Sequence, residues 1–264
     1  MCIRDRVLAR KYRPINFQEV IGQDHVINVL INSIDQEKIH HAYIFSGTRG
    51  VGKTTIARIL AKCLNCESSN MPTPKPCNEC SNTKEISEGR SVDFLEIDAA
   101  SNTQVEKIRE LIETVQYKPA KGRFKIYLID EVHMLSTSSF NALLKTLEEP
   151  PRHVIFIFAT TNPEKIPKTV QSRCLQLNLK TVNEELLTQH LREIVEKEKI
   201  NYDEESLALI ANSSNGSVRD GLTLLDQAIA YGDGKLIEDD VKALLGTIDN
   251  SLLIDLINAV IDGD

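Results

Sequence analysis

Gly47-Thr48-Arg49-Gly50-Val51-Gly52-Lys53-Thr54 fits the pattern G-x-x-x-x-G-K-[ST], and it lies between an apolar run, Ala42 to Phe45, and a helical pattern starting at Thr55. The glycines let successive backbone N–H groups turn toward one anion, and the following helix points its positive end at the same place. Lys53 can reach the outer phosphates of a nucleotide, and the Thr54 hydroxyl can hold Mg²⁺. Gly47, Thr48, Gly50, Val51, Gly52 and Thr55 complete the cradle. A glycine turn with a merely solvated lysine would match the same pattern; the strand-loop-helix setting favours a bound nucleoside triphosphate.

Working outward from that loop, strand and helix signals alternate up to residue 180, the pattern of a parallel sheet covered on both faces. Strands are expected at Ala42 to Ser46, Val92 to Ile97, Lys125 to Asp130, Val154 to Thr160 and Leu175 to Leu179. Helices are expected between them at Gln23 to Ile34, Thr54 to Leu64, Thr103 to Gln116 and Ser136 to Leu147. Beyond Lys180 the strand signals stop and helical periodicity repeats at Asn183 to Lys197, Asp203 to Ala211, Ser217 to Ala230 and Glu238 to Leu245. Residues 65–91, with Pro72, Pro74 and Pro76 among cysteines, interrupt the alternation as an insertion.

The 264 residues, 41% apolar and 26% charged, are ordinary for a globular chain of about two domains. A net charge of −7 argues against gripping nucleic acid over the whole surface, though a local basic groove is compatible with it. Neither a membrane span nor a signal-peptide core is visible, so a cytoplasmic location is the expectation. Residues 1–6, Met-Cys-Ile-Arg-Asp-Arg, read as a translated sequencing adapter and are set aside. Ser251 to Ile261 reads as the start of a further amphipathic helix.

Asp130 and Glu131 close a near-continuous apolar strand, where open α/β sheets place ligands. Two adjacent ionised carboxylates there are costly without a nearby cation. Asp130 is therefore expected to hold Mg²⁺, and Glu131 to orient and deprotonate the attacking water. A solvated turn after the strand is the plainer alternative.

Together these features resemble the AAA+ ATPase family of bacterial DNA polymerase III clamp-loader subunits, gamma/tau, over residues 7–264. The likeness is carried by Leu8-Ala9-Arg10-Lys11-Tyr12-Arg13-Pro14, Val20-Ile21-Gly22-Gln23, the phosphate loop, Asp130-Glu131-Val132-His133-Met134, the run from Phe140 to Pro151, Ser172-Arg173-Cys174 and Gly216-Ser217-Val218-Arg219-Asp220. It implies a P-loop NTPase parallel sheet with helices on both faces and a zinc-binding insertion at 65–91, the whole ATPase domain spanning 7–180. A three-helix lid would follow at 181–245, and a helical collar would begin at 246–264.

The resemblance also implies roles. Thr161, or its neighbour Asn162, would be the first sensor, and Arg219 the second, reaching the phosphates of its own ATP. Arg173 would be an arginine finger completing a neighbouring subunit's site. Ala9, Tyr12, Arg13, Val20 and Ile21 would wrap adenine and ribose. Lys145 would approach the DNA backbone, with Asn102 and Gln104 where relatives carry basic side chains. Partners would be the other subunits of a hetero-oligomeric ring, the sliding clamp, primer-template DNA read without regard to sequence, and the polymerase core through a C-terminal region not in this chain.

Two C-x-x-C pairs in a cytosolic-looking chain favour metal over disulfides. Cys66, Cys77 and Cys80 match three zinc ligands of the family, but Thr83 stands where the family has a fourth cysteine. Cys63, three residues before Cys66, could share one helix face with it and restore a four-thiolate zinc site; free buried thiols are the alternative. The expected activity is Mg²⁺-dependent ATP hydrolysis that loads the clamp during replication. The family also carries the name DNA-directed DNA polymerase, but no polymerase carboxylate constellation is visible, so nucleotidyl transfer belongs to a partner. Rival readings are another AAA+ DNA-remodelling ATPase and a non-hydrolysing clamp-loader scaffold.

Overall fold

The computed structural model describes residues 7–101 and 105–246. The adapter reading of 1–6, Asn102, Gln104 and the collar beyond Gly246 lie outside the described residues. The chain divides into two compact units, Arg13–Thr181 and a helical unit formed by the described parts of Met1–Tyr12 and Val182–Asp264.

In chain order, α1 (Leu8–Lys11), α2 (Asp24–Asp35), β1 (Ala42–Ser46) and α3 (Lys53–Asn65) lead to the insertion, which contains α4 (Ser81–Glu88). Then come β2 (Phe94–Asp98), α5 (Val105–Val115), β3 (Lys125–Asp130), α6 (Thr137–Glu148), β4 (Val154–Thr160), α7 (Lys168–Gln171) and β5 (Leu175–Asn178). The helical unit holds α8 (Glu184–Glu198), β6 (Asn201–Tyr202), α9 (Glu204–Ser213), α10 (Val218–Tyr231), β7 (Lys235–Leu236) and α11 (Glu238–Leu245), together with α1.

The first unit is a five-stranded sheet of order β2-β3-β4-β1-β5 with every pairing parallel. Strands β1, β3 and β4 bury both faces, so they read as continuous apolar runs, and successive side chains enter two different cores. Tyr43, Phe45, Ile126, Leu128, Ile155 and Ile157 join one core with α2 and α3. Ile44, Tyr127, Ile129, Phe156 and Phe158 join the other with α5 and α6. There Tyr127 and Phe156 stack with ring centroids 5.4 Å apart.

Three features depart from the sequence expectation. Strand β2 begins at Phe94, not Val92, because Asp93 is withdrawn to cap another segment: its carboxylate accepts from the N–H groups of Ala120, Lys121 and Gly122, each at 2.7 Å. Helix α4 forms inside the insertion and ends on Gly89 at φ 70. A short parallel pair, β6 with β7, appears where strand signals had stopped; two residues per strand are too few for periodicity to register.

The insertion is fastened to the sheet unit by a polar knot. Asn65, at the end of α3, accepts from the N–H groups of Arg123 (3.1 Å) and Phe124 (2.9 Å). The Arg123 guanidinium donates to the carbonyls of Leu64, Cys66 and Ser69 at 2.7–2.9 Å. Gly122 is needed here, since a Cβ on it would lie 2.7 Å from the Asn65 side chain.

In the helical unit, Leu187, Leu191, Ile194, Leu207, Ile210, Leu222 and Leu225 are buried at helical spacing on α8, α9 and α10. Asn183 and Ser217 cap α8 and α10 through their side chains. Helix α1 is held here as well: the Leu8 N–H donates to Asp226 at 2.6 Å, and Lys11 and Tyr12 both bond Glu198. Residues 7–12 thus pack with the helical unit, not with the sheet as a boundary at 180 implies. The reason is that polar partners for this segment lie on α8 and α10.

Candidate active site

In the sheet order, β4 lies between β3 and β1, so the carboxyl ends of these three strands are neighbours. That single edge carries the glycine loop after β1, Asp130-Glu131 at β3 and Thr160-Thr161 at β4. The loop takes its shape from positive φ at Gly47 (145), Gly50 (80) and Gly52 (105). Gly47 has a second constraint, since a Cβ would stand 2.5 Å from the Leu179 carbonyl oxygen.

Lys53, at the start of α3, is 6% exposed, and its ammonium donates to the carbonyls of Gly47 and Thr48, both at 2.8 Å. Burial pushes its pKa down, and the carboxylates of Glu131 and Asp130 oppose that shift. The Thr54 hydroxyl donates to Asp130 Oδ2 at 2.9 Å, so the two oxygens expected to face a magnesium ion already converge. The other oxygen, Asp130 Oδ1, accepts from the Glu131 N–H at 2.9 Å. An oxygen-rich pair beside a phosphate loop suits a hard divalent cation.

Glu131 adopts φ 46, a left-handed conformation that side chains other than glycine rarely take. Its carboxylate is then held from β4: the Thr161 hydroxyl donates to Oε2 at 3.1 Å and the Thr161 N–H approaches at 3.4 Å. His133 Nδ1 lies 3.3 Å from the same oxygen and 3.0 Å from Thr160 Oγ1. Asn162 instead directs its N–H to Thr160 Oγ1. His133 and Thr160 were not singled out from sequence; their spacing after Asp130 and before Thr161 was the available signal.

The remaining expected contacts are dispersed. Arg13 Nε donates to Thr55 Oγ1 at 3.1 Å, Val20 is buried and Ile21 is half-buried, all within the sheet unit. Ala9 and Tyr12 are half-buried in the helical unit, as described above. Arg219 is exposed in the first turn of α10, also in the helical unit. Arg173 follows α7 and donates to Glu148 Oε1 at 2.6 Å and to the Thr169 carbonyl at 2.5 Å. Lys145 is exposed on α6, whose opposite face buries Leu143 and Leu147.

Among the described residues, the one cluster of three or more metal-ligating side chains is Cys66, Cys77 and Cys80, whose sulfurs all lie within 4.8 Å of one another. Cys63, the fourth cysteine expected of the set, is not part of it. Helix α3 ends at Asn65, and at Cys66 the chain turns to an extended course (φ −64, ψ 127) that leads into the insertion. Cys63 is wholly buried among apolar side chains, and that burial pushes its thiol pKa up, away from the thiolate a metal needs. The three clustered sulfurs fit a zinc ion: tetrahedral thiolates sit about 3.8 Å apart, and Cys66 and Cys77 are 3.5 Å apart.

Comparisons with known proteins bear on this geometry. A model described as DNA polymerase III, delta subunit matches residues 22–183, and one described as DNA polymerase III clamp loader subunit, ATPase lid domain matches 186–234. The DNA polymerase III subunit gamma of Buchnera aphidicola from Acyrthosiphon pisum is 50% identical over 98% of this chain and 71% of its own length. The chain belongs to the DNA polymerase III gamma/tau family. The tau subunit of Escherichia coli is 54% identical over 98% of this chain, which spans 40% of that relative's length. In fold, the chain is similar to the Thermotoga maritima RuvB Holliday junction branch migration motor, with a TM-score of 0.63 at 18% identity over 87% of this chain and 70% of the other. The gamma/tau lid match covers α9, α10 and nearly all of α8 and stops before α11. No helix among the described residues is long and apolar enough to cross a membrane.

The bonds on Glu131 carry a prediction for this gamma/tau chain. Thr161→Val keeps the shape of β4 but removes the hydroxyl donor, so Glu131 loses its aim. Turnover is expected to fall by about tenfold to a hundredfold with ATP affinity unchanged, measured by steady-state hydrolysis alongside nucleotide titration.

Proposed function

We propose that the chain is an ATP-hydrolysing motor of the DNA polymerase III clamp loader that helps load a ring-shaped sliding clamp onto primed DNA. The observation that supports this best is the convergence of Lys53, Thr54, Asp130, Glu131 and Thr161 on one edge of the sheet, with Thr54 and Asp130 only 2.9 Å apart. On nucleotide binding, Lys53 leaves the Gly47 and Thr48 carbonyls for the outer phosphates. Thr54 and Asp130 would hold Mg²⁺, which when bound would supply charge neutralisation to the phosphates. Glu131, aimed by Thr161, takes a proton from the attacking water as its oxygen bonds to the γ-phosphorus and ADP departs with the bridging oxygen.

Arg219 acts on the phosphates of the same chain and Arg173 on those of a neighbour, so hydrolysis is completed by assembly into a hetero-oligomeric ring. Ala9, Tyr12, Arg13, Val20 and Ile21 form the base and ribose contacts, and Lys145 meets DNA phosphate, which makes the DNA contact sequence-blind. Cys66, Cys77 and Cys80 hold a structural zinc in the insertion. The protein works in the cytoplasm, and nucleotidyl transfer belongs to the polymerase core.

A non-hydrolysing scaffold would have no use for the Glu131 arrangement. The test is ATP turnover by the chain mixed with the other clamp-loader subunits, with and without clamp and primed DNA. Stimulation by clamp and primer-template is expected; its absence would point to a generic DNA-remodelling ATPase.

A further inference from the structure

We propose that the insertion binds its metal through three thiolates only, leaving the fourth coordination position open to exchangeable water, because Thr83 occupies the corner a fourth thiolate would close. The inference deepens the zinc reading above and rests on it.

Thr83 is wholly buried in the first turn of α4, directly behind Cys80. Its Oγ1 lies 3.2 Å from Cys80 Sγ and donates to the Cys80 carbonyl at 3.1 Å. The hydroxyl is therefore beside the cluster, but its proton is committed to the protein and it is neutral. Zinc prefers thiolate, imidazole or carboxylate over a neutral hydroxyl. A second hydroxyl, Ser68 Oγ, lies 3.0 Å from Cys66 Sγ. The Ser68 hydroxyl is placed to support the Cys66 sulfur from outside the coordination shell, as second-layer hydrogen bonds do.

Among the described residues no other thiol joins the three converging sulfurs, Cys63 included. Access differs among the three ligands: Cys66 is fully buried, while Cys77 and Cys80 are partly exposed. Charge favours three thiolates over four. Three thiolates with Zn²⁺ carry one net negative charge where four carry two, and the Arg123 guanidinium, bonded to the Cys66 carbonyl, brings one positive charge beside the cluster, enough to balance the smaller figure. A site closed by four thiolates is inert; one with an open position exchanges ligand and loses metal to chelators more readily.

The test uses the intact chain with two readouts, zinc release to a chromophoric chelator and the sulfur-to-cobalt charge-transfer band after cobalt substitution. Wild type is expected to carry equimolar zinc and a band of three-thiolate intensity. Thr83→Cys is expected to slow release by roughly tenfold or more and to strengthen the band. Cys63→Ala should change neither. A weaker band or faster release in Cys63→Ala would overturn the inference in favour of a Cys63 ligand, and an unchanged Thr83→Cys would overturn it by showing that residue 83 does not face the open corner. A wild-type chain without metal, folded by circular dichroism, would instead defeat the zinc reading itself.

Discussion

Glu131→Gln is expected to lower ATP turnover by roughly 10²–10⁴-fold, the range of a positioned general base, while leaving ATP binding within a fewfold of wild type. Glutamine has the same shape, can still accept from Thr161, and can adopt the same backbone. What it lacks is a basic oxygen to take the proton of the attacking water. Lys53, Thr54 and the loop glycines are untouched, so the nucleotide should still be held. The measurement is single-turnover hydrolysis in the assembled loader beside equilibrium binding of ATP. Unchanged turnover would remove Glu131 from the chemistry and with it the account of the β4 contacts.

The second large effect is structural and far from the nucleotide. Asp93→Ala is expected to destabilise the sheet unit by about 1–3 kcal/mol, because three backbone N–H groups lose the carboxylate that holds them together. Asp93 is 3% exposed, and each of its three bonds to the segment 120–122 is 2.7 Å long. That segment precedes Arg123, whose guanidinium ties down the Cys66 loop, so loss of order should spread into the insertion. Denaturant unfolding followed by circular dichroism, with thiol accessibility of Cys66 as a local probe, would read both effects. A shift of the midpoint no larger than that of a surface substitution would show that the 120–122 turn holds itself.

Much of the fold was legible because its signals are local. Strands β1, β3 and β4 announce themselves as short apolar runs, since a strand buried on both faces has no polar side. The helices between them repeat apolar residues at helical spacing, and their ends moved by only a residue or two. The site was legible for a related reason: the glycine loop and Asp130-Glu131 each occupy consecutive positions. Elements of two residues, such as β6 and β7, left no such trace.

Side chains that meet across long sequence separations were not legible. Asp93 meets residues 27–29 positions away and Asn65 meets residues 58–59 away, yet neither belongs to a periodic pattern. The Tyr12 phenol bonds Glu198, 186 positions away. The hold of His133 and Thr161 on Glu131 likewise depends on β3 and β4 being neighbours in the sheet.

The sequence by itself determined the phosphate loop, the acidic pair at a strand end and the alternation that makes a parallel sheet, because each depends on residues adjacent or periodic in the chain. Only the tertiary structure decided which cysteines converge. Spacing allowed Cys63 to pair with Cys66, but the sulfurs that converge are those of Cys66, Cys77 and Cys80. Convergence depends on the path of the loop between these cysteines, and that loop is tied down by Asn65 and Arg123 bonding across the fold.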